Sequence, residues 1–356
     1  MWKLHCTIIT LMAAACLGVS SLGVPFTEVA NATQRRAVCL DGSPAGYYYS
    51  AGSGDGAKNW LIYLRGGGWC QNIDSCQSKQ NQSFGCNRFL PPFRNLTGIL
   101  SPNNQINPDC NNWNRIYVGY CDQSSFLGDN EFDDGQGLNL QFRGSRIFDA
   151  VVDDLLAKGM SVGENAILSG DSAGALGAIL HCDGFRARLP DVGRVKCLSD
   201  AGFFLRGEKI LNADYRDNFF ASTIMFHNIS SFLPVKCTER IDPSLCLFPE
   251  NLVGDIQTPL FILNSAFDIY QVKFLLVPPP PYDRKSWDSC LNNLALREIS
   301  NNPSRGMFIE ACFSHAVAYD ERYWSPNSTI KLGNLTIQEA FANCTIIIFS
   351  KLMFSP

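Results

Sequence analysis

The sequence is poor in charge. Asp, Glu, Lys and Arg make up only 17% of its 356 residues, and 29 basic residues fall short of 33 acidic ones, a formal net charge of −4. With no basic excess to neutralise phosphates, nothing in the composition favours a nucleic-acid partner. The low hydrophobicity of a disordered chain is missing too: apolar residues reach 46%, with 24 Phe, 11 Tyr and 6 Trp. No CxxC pair occurs, so the cysteines do not read as a metal site. No period of 20–50 residues repeats, and no Ser/Gly linker or charge run divides the chain. Beyond the N-terminus no apolar run is long enough to cross a bilayer; residues 344–354 are short and interrupted by Lys351. Histidine is scarce, four in all, which narrows any search for a general base.

What is abundant is cysteine, fifteen residues. Lys3 and the apolar run 6–19, followed by small residues at 20–23, have the layout of a secretory signal peptide cleaved between Ser21 and Val24. Residues 1–23 are therefore expected to be removed, leaving 24–356 as a single catalytic domain. Cys6 and Cys16 leave with the signal, so thirteen of the fifteen remain, an odd number that in a secreted chain reads as a disulfide framework with at least one thiol left over. Seven Asn-x-Ser/Thr sequons, at Asn31, Asn81, Asn95, Asn228, Asn327, Asn334 and Asn343, agree with passage through a glycosylating pathway. The expected location is extracellular.

Short apolar runs alternate with turns and helical patterns. Residues 60–64 (WLIYL), 115–120, 166–169 (AILS), 195–198, 259–263 (PLFIL) and 307–309 read as strands. Residues 144–157 carry Ile147, Val151 and Leu155 at helical spacing, closed by Gly159, and 173–181 form a second helix. This alternation predicts an α/β fold with a mostly parallel sheet covered on both faces, whose catalytic loops collect at the carboxyl ends of the strands. The Cys- and Asn-rich stretch 70–113 reads as a disulfide-tied insertion, and the four prolines at 278–281 as a stiff extended segment.

Gly170-Asp171-Ser172-Ala173-Gly174 fits Gly-x-Ser-x-Gly, between a predicted strand and a predicted helix, the context in which that motif exposes a nucleophilic serine. A serine nucleophile needs a base. His5 leaves with the signal, and His181 lies roughly 13 Å along the helix that Ser172 starts, out of reach. His227 precedes any good acid candidate. The order Ser, then acid, then His leaves His315, with His181 and His227 structural. The acid follows a strand between Ser172 and His315: Asp268 is favoured, and Asp200, more simply a turn or cap carboxylate, is its rival. Backbone amides of Ala173 and of Gly67 and Gly68, in the glycine run after the first strand, would form the oxyanion hole. No metal or organic cofactor is needed for such chemistry.

The segments 37–44, 64–70 (LRGGGWC), 112–114, 120–126 (YCDQSSF), 168–174, 179–183, 197–205, 258–268 and 306–315 (GMFIEACFSH) together resemble blocks of the plant pectin acetylesterase family. The resemblance implies an α/β-hydrolase fold with disulfide-tied insertions and removal of acetyl groups from the galacturonic-acid backbone of cell-wall pectin. It also implies Ser172 as nucleophile, Asp268 as acid and His315 as base. The partner is then acetylated pectin, bound by a monomer in the cell wall without nucleic acid or stable membrane association. The animal relative Notum, a carboxylesterase acting on a lipid ester, supplies the alternative activity, beside a feruloyl or small-molecule esterase and an inactive wall-binding paralogue. The chain departs from the family at Arg65 (usually Glu), Gly119 (usually Arg), Gln123 (usually Gly), and Asp171 and Ala316 (often Cys); residues 343–356 do not resemble the family's C-terminus. Arg65 reads either as an anchor for a galacturonate carboxylate or, in preference, as half of a structural ion pair.

Overall fold

The structure, a computed structural model, describes residues 23–206, 213–275, 304–310 and 312–346, apart from the side chains of 344–346. The signal segment, the prolines at 278–281, Cys290 and the C-terminal tail lie outside the described residues.

Strands β1 (Val24–Glu28), β2 (Gly46–Ser50), β3 (Asn59–Leu64), β4 (Phe93–Arg94) and β5 (Asn114–Val118) precede a hairpin of β6 (Asn130–Asp133) and β7 (Asn139–Phe142). Then follow β8 (Asn165–Asp171), β9 (Arg194–Asp200), β10 (Leu260–Ser265) and β11 (Arg305–Glu310). Among the described residues these strands, the hairpin aside, form one sheet in the order β11-β10-β9-β8-β3-β5-β2-β1-β4. The run from β11 to β5 is parallel throughout, and β2, β1 and β4 join by antiparallel pairing.

The parallel strands are continuous apolar runs because both of their faces are covered. Leu64, Val118, Leu168 and Ile262 point to one side, against Ile147, Val151 and Leu155 of the helix Gly144–Ala157 and Leu176 and Ile179 of the helix Ser172–Ala187. Leu61, Tyr63, Tyr117, Ile167 and Leu198 point to the other, where Ile99, Leu100, Val317, Trp324 and Phe341 cover them. The two-residue period of a strand thus divides the core into two layers.

Every strand and both helices read from the sequence are present, with bounds shifted by one or two residues at strand ends and the second helix running on to Ala187. The antiparallel strands and the helix Ala213–His227 carry no usable periodicity: in β2, Tyr47 and Tyr48 enter different core layers. The insertion 70–113 is only partly disulfide-tied. Cys70 and Cys76 are bonded, whereas Cys86 and Cys110 are buried free thiols. That segment is held instead by Leu96, Ile99 and Leu100 in the core and by the Asn107 amide, which donates to Ile99 O at 2.7 Å and Ser101 O at 3.2 Å. Cys39–Cys121, Cys182–Cys197 and Cys237–Cys246 complete the bonded pairs, with Cys312 exposed and free among the described residues. The first closes 82 residues, a loop whose restraint of the unfolded chain is worth about 4 kcal/mol in the chain-entropy picture.

The helix Ser172–Ala187 seats on β3 through Gly174, where a Cβ would lie 2.1 Å from Leu64 O and 2.5 Å from Arg65 O. Gly174→Ala is expected to lower stability by about 3 kcal/mol or prevent folding. Gly184→Ala on the same helix, where a Cβ meets nothing within 4 Å, should raise it by about 0.5–1 kcal/mol. Urea denaturation midpoints of the two variants check both.

Candidate active site

β8 ends at Asp171, in extended conformation, and the next residue, Ser172, takes φ 53° as the helix begins. A non-glycine residue there is costly and persists only where surrounding contacts hold it. They do: a Cβ on Gly66 would lie 2.3 Å from Asp171 O and 2.7 Å from Ser172 Cβ, so the glycine run after β3 lies directly against the elbow. The Asp171 carboxylate fastens that run by accepting the Gly66 N–H at 3.0 Å. Further along, Tyr120 donates to Gly68 O at 2.7 Å and the Trp69 indole to Ser125 Oγ at 2.8 Å. Gly66 therefore lies beside the Ala173 amide, a Cβ on it falling 3.0 Å from Ala173 N, with Gly67 and Gly68 next in the chain. As an early helix residue, Ala173 has an amide with no carbonyl four residues back inside the helix, and the helix dipole adds partial positive charge beside Ser172.

Asp268 follows β10, is 2% exposed, and accepts the Gln271 N–H at 2.9 Å through one oxygen. Its other oxygen lies 2.6 Å from Nδ1 of His315, on the loop after β11. Ile269 N–H donates to Ser314 O at 3.1 Å, binding the acid loop to the histidine loop, and buried Glu310 accepts from Ser314 Oγ and Cys312 N–H. The Tyr270 ring stacks on the imidazole, centroids 5.4 Å apart, and its hydroxyl stands over Gly68. Serine elbow, glycine run, tyrosine, histidine and aspartate thus form one chain of neighbours. The Ser172 hydroxyl makes no hydrogen bond to the His315 ring in this structure; in resting enzymes such bonds are often long and tighten with substrate.

Burial opposes charge on His315, yet the Asp268 hydrogen bond and charge, with Asp171 and Asp200 adding to them, hold its pKa above the usual histidine value. Burial likewise raises the Asp171 carboxyl, against the pull of Arg65 and the Gly66 N–H. Asp200, register partner of Asp171 on β9, is pushed up to about 7 by burial. It accepts the Ala318 N–H at 2.6 Å and makes no hydrogen bond to His315, which leaves Asp268 as the carboxylate beside the ring. His181 meets Phe126 O at 2.8 Å and stacks on Phe148; His227 meets Cys70 O at 2.7 Å. Burial lowers both to about 4, and neither faces the elbow. Cys70 and Cys76 also stand beside His227, but a disulfide between them removes the thiolates a metal would need.

Sequence reasoning overlooked Tyr270, Glu310 and the fastening role of Asp171. Asp171 had a signal, being a carboxylate inside the Gly-x-Ser-x-Gly motif; Tyr270 had none, because the His315 ring it stacks on is far away in sequence, and Glu310, whose partners Cys312 and Ser314 are close by, read only as the end of a strand. Arg65 forms no structural ion pair among the described residues: its Nη1 donates to the Tyr117 hydroxyl at 2.8 Å, and the guanidinium lies over the Phe84 ring at 5.1 Å.

A parallel sheet with a serine elbow after β8, an acid after β10 and a histidine after β11 defines an α/β-hydrolase-like fold. The chain belongs to the pectinacetylesterase family, whose model matches residues 19–297. It is 40% identical over 354 residues to pectin acetylesterase 7 of Arabidopsis thaliana, covering 94% of this chain and 90% of the relative. Identity to pectin acetylesterase 11 of the same plant is 38% over 351 residues, covering 93% and 90%. Palmitoleoyl-protein carboxylesterase NOTUM of Mus musculus is 29% identical over 305 residues, 81% of this chain and 59% of that protein. The solved structure of the Wnt deacylase Notum from Drosophila superposes with a TM-score of 0.78 at 24% identity, over 93% of this chain and 97% of that one, a likeness of fold. Family and relatives together support carboxylesterase activity.

Because Asp268 supplies the force that raises the His315 pKa, Asp268→Asn should let burial dominate. In an NMR titration the imidazole should titrate above 6.5 in the parent and below it in the variant.

Proposed function

We propose that this chain is a secreted serine esterase that removes acetyl groups from pectin through an acyl-enzyme on Ser172. The observation that carries the reading is the 2.6 Å contact between Asp268 and His315 on the loops that border the serine elbow. His315 takes the Ser172 proton as the oxygen attacks the acetyl carbonyl. Amides of Gly67, Gly68 and Ala173 hold the resulting oxyanion. The sugar hydroxyl leaves with the proton from His315, and water, activated by the same ring, then releases acetate and restores the serine. Asp268 fixes the tautomer and steadies the imidazolium.

The small acyl group is supported by what fills the apolar side of the site. Trp69 packs against Phe204, Phe219, Phe220 and Tyr270 with centroids 5.0–6.4 Å apart, a filled aromatic cluster beside the glycine run. Secretion is supported by the N-terminal apolar run and by the sequons. Six of the seven asparagines are exposed, Asn343 being half-buried, and among the described residues no helix is long and apolar enough to cross a membrane.

Acetate release from acetylated pectin tests the reading. The parent chain should release acetate, and Ser172→Ala should lower turnover by about 10⁴-fold or more. A faster reaction on a palmitoleoylated peptide than on pectin would favour the lipid-ester alternative. Failure of a fluorophosphonate to add its mass to Ser172 would favour an inactive wall-binding protein.

A further inference from the structure

The carboxyl edge of the sheet holds a second concavity, on the face turned away from the nucleophile helix. Tyr63 of β3 pairs in register with Tyr117 of β5 and Ser169 of β8. Two residues on, by the strand period, Arg65 and Asp171 share that face. There Tyr63, Arg65, Tyr117, Asp171, Ala316 and Tyr319 line a cavity of about 620 Å³, a size usual for small-molecule sites, which run ~300–1,000 Å³. Asp171 precedes the proposed nucleophile and Ala316 follows the proposed base, so the cavity backs directly onto the reaction site.

Its wall is aromatic. The rings of Tyr63, Tyr117 and Tyr319 lie 5.2–5.9 Å from one another. The Tyr63 hydroxyl is buried with no hydrogen-bond partner among the described residues. Its charges are unevenly matched. At the rim Arg322 and Asp320 pair with each other, and exposed Glu321 turns toward Ser101 Oγ at 3.5 Å. Arg65 is different: its one described hydrogen bond is from Nη1 to the Tyr117 hydroxyl, and no carboxylate comes within ion-pair distance among the described residues. Asp171 directs one oxygen to the Gly66 N–H instead. The half-buried Tyr319 ring suits the C–H side of a sugar ring, and the Arg65 guanidinium, which hydrogen-bonds no carboxylate among the described residues, suits a carboxylate it can grip through two parallel N–H bonds.

We propose that this cavity is a subsite for a uronate residue of the polysaccharide, its carboxylate held by Arg65 and its ring lying against half-buried Tyr319. The inference rests on the pectin reading and adds to it: the residue beside the acetylated one must carry a free carboxylate, so a methyl-esterified neighbour binds poorly.

The test is calorimetric, on the full mature chain with Ser172→Ala so that nothing is hydrolysed. The probes are unacetylated trigalacturonate and its neutral methyl ester. Trigalacturonate should bind at least tenfold more tightly than the ester. Adding Arg65→Gln should abolish that preference and weaken trigalacturonate binding at least tenfold, while Arg65→Lys recovers part of both. Equal affinity for acid and ester, or an unchanged preference in Arg65→Gln, overturns the proposal. If Arg65→Gln does not fold, the acid-to-ester comparison on the Arg65 protein still decides. Acetate release by the active chain separates the two readings. Release without an Arg65-dependent preference removes the subsite and leaves the esterase; neither release nor trigalacturonate binding removes both.

Discussion

The site depends on a crossing of two backbones. Where β8 turns into its helix, the elbow passes so close to the end of β3 that positions 66 and 174 have no room for a Cβ. That contact holds Ser172 at a positive φ and lays the glycine run along the exit of the nucleophile. It also fixes where the helix sits on the sheet, and hence which strand faces receive Leu176 and Ile179. A local conformation that the isolated chain would reject is stabilised by the packing it makes possible.

The second constraint is electrostatic. Three carboxylates, Asp171, Asp200 and Asp268, gather near one imidazole with little water between them. Each accepts from a backbone amide, Asp171 from Gly66, Asp200 from Ala318 and Asp268 from Gln271, so their positions are set by loops after three different strands, β3, β11 and β10. Only Asp268 also bonds the ring. Burial pushes Asp200 up to about 7 and raises Asp171, so both carboxyls hold a proton more readily than they would in water. Asp171, inside the nucleophile motif, joins both constraints: it pins the glycine run and contributes to the field at the histidine.

The same edge serves two faces. Toward the helices it presents the serine, the glycine run and a packed aromatic cluster; away from them it presents Arg65 and Tyr319 beside the buried Tyr63 and Tyr117. The strand period carries Tyr63 and Leu64 of β3 to opposite core layers.

The parallel strands, the two helices that follow the periodic pattern, and the roles offered to Ser172, Asp268 and His315 were all legible from local order. Apolar runs mark strands buried on both faces, Gly-x-Ser-x-Gly marks a turn only small residues can make, and four histidines leave few choices of base. The antiparallel strands β1, β2 and β4 were not among the segments read as strands. Nor was the anchoring of 70–113 legible: there Asn107 and core leucines replace the cysteine pairs its composition suggested. The partner of Arg65 turned out to be a tyrosine hydroxyl 52 residues away rather than a carboxylate. Composition and spacing report what a residue does to its own strand or turn. Which groups meet across the sheet edge is set by strand order and register, quantities that pair segments far apart in the chain and leave no mark on either segment alone.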